Sequence, residues 1–171
     1  MNKIIKYIIL VTIIGYMYAH EVVKDFDINK FMGKWYVISL VPNFVEKGCT
    51  NSTDIYKLND DGTVDITYNA VKGGSSKTIK QRGYVSKSEP ARWEIQFLKP
   101  VYVPFYRAPF EVIILDSNYE YMAVGYPDNT FGWIMARSNT LDEDIYQRII
   151  EELESDFGYD KNIFEKVVHD K

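Results

Sequence analysis

The stretch Gly33-Lys34-Trp35-Tyr36 (GKWY) restricts the fold of this chain more than any other part of the sequence. It begins the first of a series of short β-prone runs, and two further motifs follow it along the chain. The second is VIILDSNYEYMAV over Val112–Val124, and the third is WIMARSNTL over Trp133–Leu141. A G-x-W triplet alone is weak evidence, whereas three motifs in this order and at this spacing form a specific combination.

Eight β-prone runs extend outward from GKWY toward the C-terminus. Turn-forming residues separate them, for example Asn59-Asp60-Asp61-Gly62 and Gly73-Gly74-Ser75. This pattern is typical of an all-β barrel or sandwich, and eight antiparallel strands can close on themselves around one small ligand. We expect the strands near Lys34–Val41, Thr50–Leu58, Thr63–Val71, Ser76–Lys87, Arg92–Leu98, Pro109–Leu115, Tyr121–Tyr126 and Thr130–Arg137.

Helical signals flank the β-prone region on both sides. Asp27 predicts the cap of a short helical turn that leads into the barrel. After the strands, Thr140 and Glu143 have the spacing of a capping box, with Thr140 as the N-cap. Apolar residues then recur at helical spacing, which predicts one amphipathic helix that ends before Gly158 and packs on the barrel wall. Residues 163–168 predict a short ninth strand.

The three motifs together resemble the lipocalin family, most closely its bacterial outer-membrane lipoprotein type and apolipoprotein D. The resemblance extends from Asp27 to Val168. It implies an eight-stranded antiparallel up-and-down β-barrel, followed by one C-terminal amphipathic α-helix and a short strand. It also implies that a small apolar molecule binds inside the barrel.

The N-terminus predicts an export signal over residues 1–19. Lys3 and Lys6 precede an uncharged apolar run of 13 residues, Tyr7–Ala19. A transmembrane helix needs about 20 such residues, so a cleavable signal is favoured over an uncleaved signal anchor. We expect cleavage after Ala19, although Met17 is larger than the small residue usual at that position. Residues 20–171 then form a single lipocalin domain, since 171 residues leave no room for a second comparable core.

The charge and the cysteine content restrict which cellular compartment and which partners are expected. Residues 1–19 hold two lysines and no acidic residue, so the domain that remains has 18 basic and 24 acidic side chains, a net charge of −6. This charge argues against nucleic acid and anionic membranes as partners. Cys49 is the only cysteine, so neither an intrachain disulfide nor an acylated cysteine after the signal is expected. We therefore expect a soluble exported protein, periplasmic or secreted. Asn51 begins a glycosylation sequon that matters only in a eukaryotic secretory pathway.

The resemblance assigns structural roles to five residues at the closed end of the barrel. Trp35 lies there, and Arg137 is expected to pack across its ring as a cation–π pair. Gly33 is expected to permit the tight backbone entry before the tryptophan. Asp116 and Tyr119 occupy the turn of the second motif, where Asp116 is expected to cap a hairpin.

Candidate ligand contacts come from side chains that point into the barrel. If Trp35 points inward, strand alternation predicts that Val37 and Ser39 also do so, while Tyr36 and Ile38 point outward. A register error of one residue would reverse these faces, so packing between barrel and helix is the alternative for each residue. The further candidates for the cavity lining are Tyr56, Tyr68, Tyr84, Phe97, Phe110, Tyr126 and Trp133.

A proline-broken aromatic segment, Lys99–Tyr106, is expected near the open end of the barrel. It could form part of the cavity rim or an association surface, and an ordinary irregular connection is the third interpretation.

The sequence offers little support for catalysis, a metal or a cofactor. His20 follows the expected cleavage point and His169 lies near the C-terminus, so these two histidines do not suggest a metal site or an acid–base pair. Cys49 has no histidine nearby in sequence, and the acidic residues are expected in turns and on the helix as solvated charges.

The function predicted on these grounds is an exported lipocalin that binds and carries a small hydrophobic ligand, with no catalytic role. The resemblance implies a fatty acid or a lysophospholipid. An interaction or inhibitor module is the first alternative, and an isomerase-type enzyme or a tetrapyrrole carrier follows. Peripheral association with a membrane and a homodimer stay open, and nucleic acid is not expected as a partner.

Overall fold

The structure, a computed structural model, describes residues 19–170. The predicted signal peptide, apart from Ala19, lies outside the described residues. The helical elements are α1 (Ile28–Phe31), α2 (Glu143–Ser155) and a 3₁₀ helix (Lys161–Ile163). The strands are β1 (Gly33–Leu40), β2 (Cys49–Leu58), β3 (Thr63–Lys72), β4 (Ser75–Val85), β5 (Arg92–Lys99), β6 (Ala108–Leu115), β7 (Tyr121–Gly125), β8 (Gly132–Ala136) and β9 (Glu165–Lys166).

The eight long strands form a closed antiparallel barrel. Neighbouring strands pair in chain order from β2 to β8, β8 pairs with β1, and β1 pairs with β2 to complete the ring. The first half of β1 contacts β2, with Trp35 opposite Asp54. Its second half contacts β9, with Leu40 opposite Glu165. The predicted barrel and the predicted ninth strand are therefore confirmed, with bounds for β1–β8 within two residues of those expected.

The two larger of three apolar clusters among the described residues lie on the two sides of the barrel wall. The inner core fills the closed end, where the largest fully buried side chains include Phe31, Trp35 and Trp93. The outer core lies between the wall and α2, which contributes Tyr146, Ile149, Ile150 and Leu153. Because the inner core fills the closed end, the cavity inside the barrel lies toward the opposite, open end.

Helix α2 begins later than the capping box predicts. Asp142, not Thr140, is the N-cap, and its side chain accepts hydrogen bonds from the backbone N–H groups of Asp144 and Ile145 at 3.0 and 3.2 Å. The Glu143 carboxylate, which a capping box would direct to the backbone, instead accepts hydrogen bonds from Gln147 and Lys166. An aspartate caps at least as well as a threonine, so the competing cap prevails.

A β-bulge interrupts the alternation of side chains in β1. The register against β8 shifts between Val37, opposite Met135, and Ser39, opposite Ile134. A bulge adds one residue to a strand and turns the following side chains to the other face. Leu40 therefore joins the inner core, while Ile38 and Val41 pack in the outer core.

Within residues 19–170, the helices are too short or too polar to cross a lipid bilayer.

Candidate ligand-binding cavity

The closed end of the barrel is sealed by Arg137. Its guanidinium carbon lies 3.8 Å from the ring centroid of Trp35. Nη1 donates to the carbonyl of Lys34 at 3.0 Å, and Nη2 donates to the carbonyls of Lys30 and Phe31 at 2.7 and 3.1 Å. One cation thereby satisfies the carbonyls at the end of α1 and covers the indole face.

Gly33 and the turn of the second motif complete this end. Gly33 has φ +99°, and a Cβ there would lie 3.4 Å from Nη1 of Arg137. Asp116 Oδ2 accepts hydrogen bonds from the backbone N–H groups of Asn118 and Glu120. The Tyr119 hydroxyl accepts a hydrogen bond of 2.6 Å from the backbone N–H of the α1 cap. The five motif residues therefore meet in one structural assembly, away from the cavity.

A cavity of about 210 Å³ lies above the closed end and opens toward the other end of the barrel. Its walls are mostly aliphatic and aromatic, with Ile66, Ile79, Ile95 and Met135 among the aliphatic residues. Six of the predicted lining residues contribute to these walls: Tyr56, Tyr68, Phe97, Phe110, Tyr126 and Trp133.

Three predicted lining residues lie elsewhere. Val37 points into the barrel but is fully buried in the inner core, below the cavity. Ser39 faces α2, because the bulge in β1 reverses its side: its hydroxyl lies 3.1 Å from the Tyr146 hydroxyl and donates to the Glu165 carbonyl. Tyr84 points outward, where the Arg107 guanidinium lies 3.6 Å from its ring centroid.

The reason for the outward direction of Tyr84 is the register of β4. Ile79 and Gln81 line the cavity, so the residues at odd positions of this strand point inward. Gly83 continues that face, and a Cβ there would lie 3.1 Å from the Trp93 ring. Tyr84 follows on the opposite face, and its hydroxyl donates to the Gln96 side chain at 3.0 Å.

Two carboxyl groups, those of Glu46 and Asp54, line the cavity, so the prediction that the acidic side chains are solvated is wrong for these two residues. Glu46 belongs to the β1–β2 loop, residues 41–48, which folds over the open end. Asp54 lies on β2 two positions before Tyr56, so alternation places both on the inner face. This two-residue spacing from Tyr56 is enough to predict from the sequence that Asp54 points into the barrel. Nothing local in sequence marks Glu46, since its position depends on how the loop folds.

The electrostatics of the cavity follow from burial. Burial and the nearby Glu46 carboxylate raise the pKa of Asp54 to about 8, against a smaller opposing effect of a hydrogen bond with Tyr56. Burial also raises the pKa of Glu46, although hydrogen bonds from Asn43 and Trp133 oppose the change. The pKa values of Tyr56 and Tyr68 are raised as well, chiefly by burial. The site therefore disfavours additional negative charge.

The open end carries exposed aromatic side chains. Phe44, in the loop that covers the cavity, is 88% exposed, and Phe105 in the β5–β6 loop is fully exposed. Tyr106 from the same β5–β6 loop lines the cavity, and its hydroxyl lies 3.2 Å from that of Tyr126. The proline-broken segment thus contributes to the cavity rim.

The histidines and the cysteine lie apart from the cavity lining. His20 Nδ1 is 2.8 Å from the buried Glu111 carboxylate, and His169 Nε2 donates to the Val37 carbonyl at 2.8 Å. Cys49 is buried beside Val45, whose carbonyl lies 3.8 Å from its sulfur. Over residues 19–170, groups of three or more side chains suited to holding a metal ion are absent.

Comparison with known proteins also relates this chain to the lipocalins. The sequence profile of the lipocalin-like domain matches residues 26–169. Temperature-induced lipocalin-1 of Arabidopsis thaliana is 28% identical over 145 residues, which cover 82% of this chain and 77% of that one. Outer membrane lipoprotein Blc of Vibrio cholerae is 27% identical over 144 residues, covering 82% and 81%.

Solved structures agree on the fold. Insecticyanin of the tobacco hornworm Manduca sexta superposes with a TM-score of 0.72 at 16% identity, over 90% of this chain and 86% of that one. The three motifs, the closed barrel with its following helix and the profile match over most of the chain lead to one conclusion. The chain belongs to the family of proteins with a lipocalin-like domain.

Proposed function

We propose that this protein is an exported carrier that holds a small hydrophobic ligand in the barrel cavity. The observation that carries the proposal is the cavity itself, which is sealed at one end by Arg137 and Trp35 and lined mostly by apolar side chains. Ligand sites of proteins are typically concave and apolar, with a few placed polar groups. The family supports binding of small hydrophobic molecules, and no feature of the lining requires a chemical step.

The ligand class suggested by the resemblance is a fatty acid or a lysophospholipid, each of which offers a single acyl chain. Each methylene removed from water contributes about 0.8 kcal/mol. The cavity of about 210 Å³ is smaller than the roughly 300–1,000 Å³ of common ligand sites. A short chain therefore fits inside. A long chain would place its far end at the mouth, beside Phe44, unless the 41–48 loop moves outward.

Export is the second part of the proposal, and it rests on the predicted signal over residues 1–19. The test is the N-terminal sequence of the protein recovered from outside the cytoplasm. We expect it to begin at His20, and recovery with residues 1–19 still attached would contradict cleavage.

The exposed apolar patch at the open end, formed by Phe44, Val101, Tyr102 and Phe105, supports a peripheral contact with a membrane during ligand exchange. Because the domain is acidic, we expect binding to phosphatidylcholine vesicles rather than to anionic ones. Co-sedimentation with vesicles tests this contact. A dimer in sedimentation equilibrium without vesicle binding would instead assign the patch to a second copy of the chain.

Native mass spectrometry before and after lipid extraction tests the carrier function. We expect one small hydrophobic molecule per chain, removed by extraction and restored by adding lipid. Ala108 lines the cavity, so Ala108→Phe should lower occupancy. Ile55→Phe adds a ring at a half-exposed position outside the barrel and should leave occupancy unchanged. A chain that stays empty and refuses single-chain lipids would favour the interaction module.

A further inference from the structure

The cavity lining contains two carboxyl groups and, among the described residues, no basic side chain. Of the described residues around it, Glu46 and Asp54 carry carboxylates, and lysine, arginine and histidine are missing from the lining. Neither carboxylate belongs to any of the ion pairs formed among the described residues. A carboxylate in an apolar enclosure is costly unless a cation or hydrogen-bond donors accompany it.

The Glu46 carboxylate is held in one orientation. Its Oε2 accepts hydrogen bonds from Asn43 Nδ2 at 2.7 Å and from Trp133 Nε1 at 2.9 Å. Asn43 is fixed in turn, since its Oδ1 accepts from the backbone N–H groups of Val45 and Glu46, each at 3.0 Å. Both side-chain donors use the same oxygen. Oε1 is therefore left for a group that enters the cavity.

Asp54 places a second acceptor on the wall of the same cavity. It lies opposite Trp35 of β1 and Tyr68 of β3, in the middle of the barrel wall rather than at its rim. Burial and the Glu46 charge raise its pKa to about 8, which is how a carboxyl group responds where a neighbouring negative charge is not balanced by a cation. An entering cation would relieve both effects.

The basic residues nearest to the cavity are engaged elsewhere. Lys77 donates through Nζ to the Val45 carbonyl at 2.5 Å, and its charge slightly opposes the rise in the Glu46 pKa without forming an ion pair with that carboxylate. Arg137 is bound to backbone carbonyls and to Trp35 at the closed end. Neither side chain extends into the cavity as a fixed partner for the acidic pair.

The aromatic walls add an independent preference for a cation. Tyr56, Phe110 and Trp133 lie on the cavity surface together with Tyr68, Phe97 and Phe131. The face of an aromatic ring attracts an ammonium group, and the attraction is strongest where water is excluded. Carboxylates and aromatic faces therefore favour the same ligand chemistry, whereas a carboxylate ligand would meet both as unfavourable neighbours.

We propose that the cavity selects a protonated organic amine with a small apolar body, whose ammonium group binds between Glu46 and Asp54. The proposal rests on the carrier function above and specifies the ligand for the same site. The apolar body would pack against the isoleucine and aromatic walls, and the ammonium would donate hydrogen bonds to the free oxygens of the pair. Within single-chain amphiphiles, an amine is preferred over a free fatty acid.

Titration calorimetry of the wild-type protein with octylamine, octanol and octanoate tests the proposal, because these three probes share one chain and differ in the polar group. We expect octylamine to bind about tenfold or more tightly than octanol, with octanoate the weakest. Octanol or octanoate binding as tightly as octylamine would overturn the amine proposal and leave the carrier function intact. Binding of none of the three would overturn both.

Two nearly isosteric variants locate the preference. Glu46→Gln and Asp54→Asn should each weaken octylamine binding by about tenfold while octanol binding changes little. Glu151→Gln makes the same charge change on the exposed face of α2 and should leave all three affinities unchanged. A preference for octylamine that survives in the double variant Glu46→Gln with Asp54→Asn would place the cation elsewhere and overturn the proposed site.

Discussion

The carboxyl group of Asp54 lies inside an apolar barrel. Because its pKa differs between the folded and the unfolded state, the free energy of unfolding depends on pH. The unfolded chain releases this proton near pH 4, whereas the folded protein holds it until about pH 8. The folded state therefore binds more protons than the unfolded state across this window. The contribution to stability is fully present below about pH 4 and is lost as the pH rises through 8.

Asp54→Asn should remove this loss, because the amide stays neutral at every pH. We expect the free energy of unfolding of the variant to match that of the wild type near pH 4. It should exceed the wild-type value by an amount that grows toward pH 8, on the order of a few kcal/mol. Denaturant titrations at several pH values measure the difference.

Asp65→Asn is the matched control on the outer face of the neighbouring strand. Burial raises the pKa of Asp65, but hydrogen bonds with Asn59 and Arg82 outweigh that effect and lower it overall. This variant should be slightly less stable than the wild type at neutral pH, the opposite sign. A difference for Asp54→Asn that does not change between pH 4 and pH 8 would show that Asp54 is ionised throughout.

At the scale of single elements, helix α2 shows that the capping-box spacing can predict the wrong N-cap residue. Thr140 and Glu143 fit the capping box by spacing, yet the Asp142 side chain accepts from the first helical N–H groups. The helix matters to the barrel because its Tyr146, Ile149 and Leu153 form one side of the outer core. Its start therefore contributes to the stability of the whole wall.

Asp142→Ala should lower the free energy of unfolding by about 1 kcal/mol, the usual cost of removing an N-cap. Thr140→Ala is the control and should change it by less than about 0.5 kcal/mol. Thermal or denaturant unfolding of the two variants decides between the caps. A larger loss of stability in Thr140→Ala than in Asp142→Ala would show that Thr140 is the N-cap, as the capping box predicts.

The barrel has a densely packed closed end and an open end with long loops. The closed end holds the inner core and the Arg137 contacts, whereas the 41–48 loop and the β5–β6 loop surround the mouth. Local opening should be least costly where few buried contacts exist. Ligand entry then requires movement of the mouth alone.

Hydrogen exchange should reveal this division. Amides of residues 41–48 and 100–107 should exchange faster than those of the paired strands, and saturating octylamine should slow exchange in residues 41–48. The turn at residues 59–62, at the closed end, serves as the internal control and should not respond. Equal protection of both ends by the ligand would argue against entry through the mouth.

Strand alternation predicts part of the site well and fails where long-range pairing alters it. Val37 points inward as alternation from Trp35 suggests, and the further candidates Tyr56, Tyr68 and Phe97 line the cavity. Ser39 does not, because a bulge opposite β8 reverses its face. A bulge depends on the pairing of two strands that are distant in sequence, so the local sequence pattern of β1 does not predict it.

The sequence by itself determined the closed barrel, the order of its strands, the helix that follows and the closed-end assembly of Trp35 and Arg137. The strands and the helix follow from hydrophobic periodicity and turn residues, which are local properties of a chain. The closure of the barrel and the pairing of Trp35 with Arg137 follow from the resemblance of the three motifs to the lipocalin family. Only the tertiary structure decided the chemistry of the cavity. Glu46 enters it because a loop folds back over the barrel, and Asp54 becomes a buried acid because the ring of strands closes around it. Burial and charge pairing are properties of the assembled fold, which is why the acidic pair could not be recognised from composition.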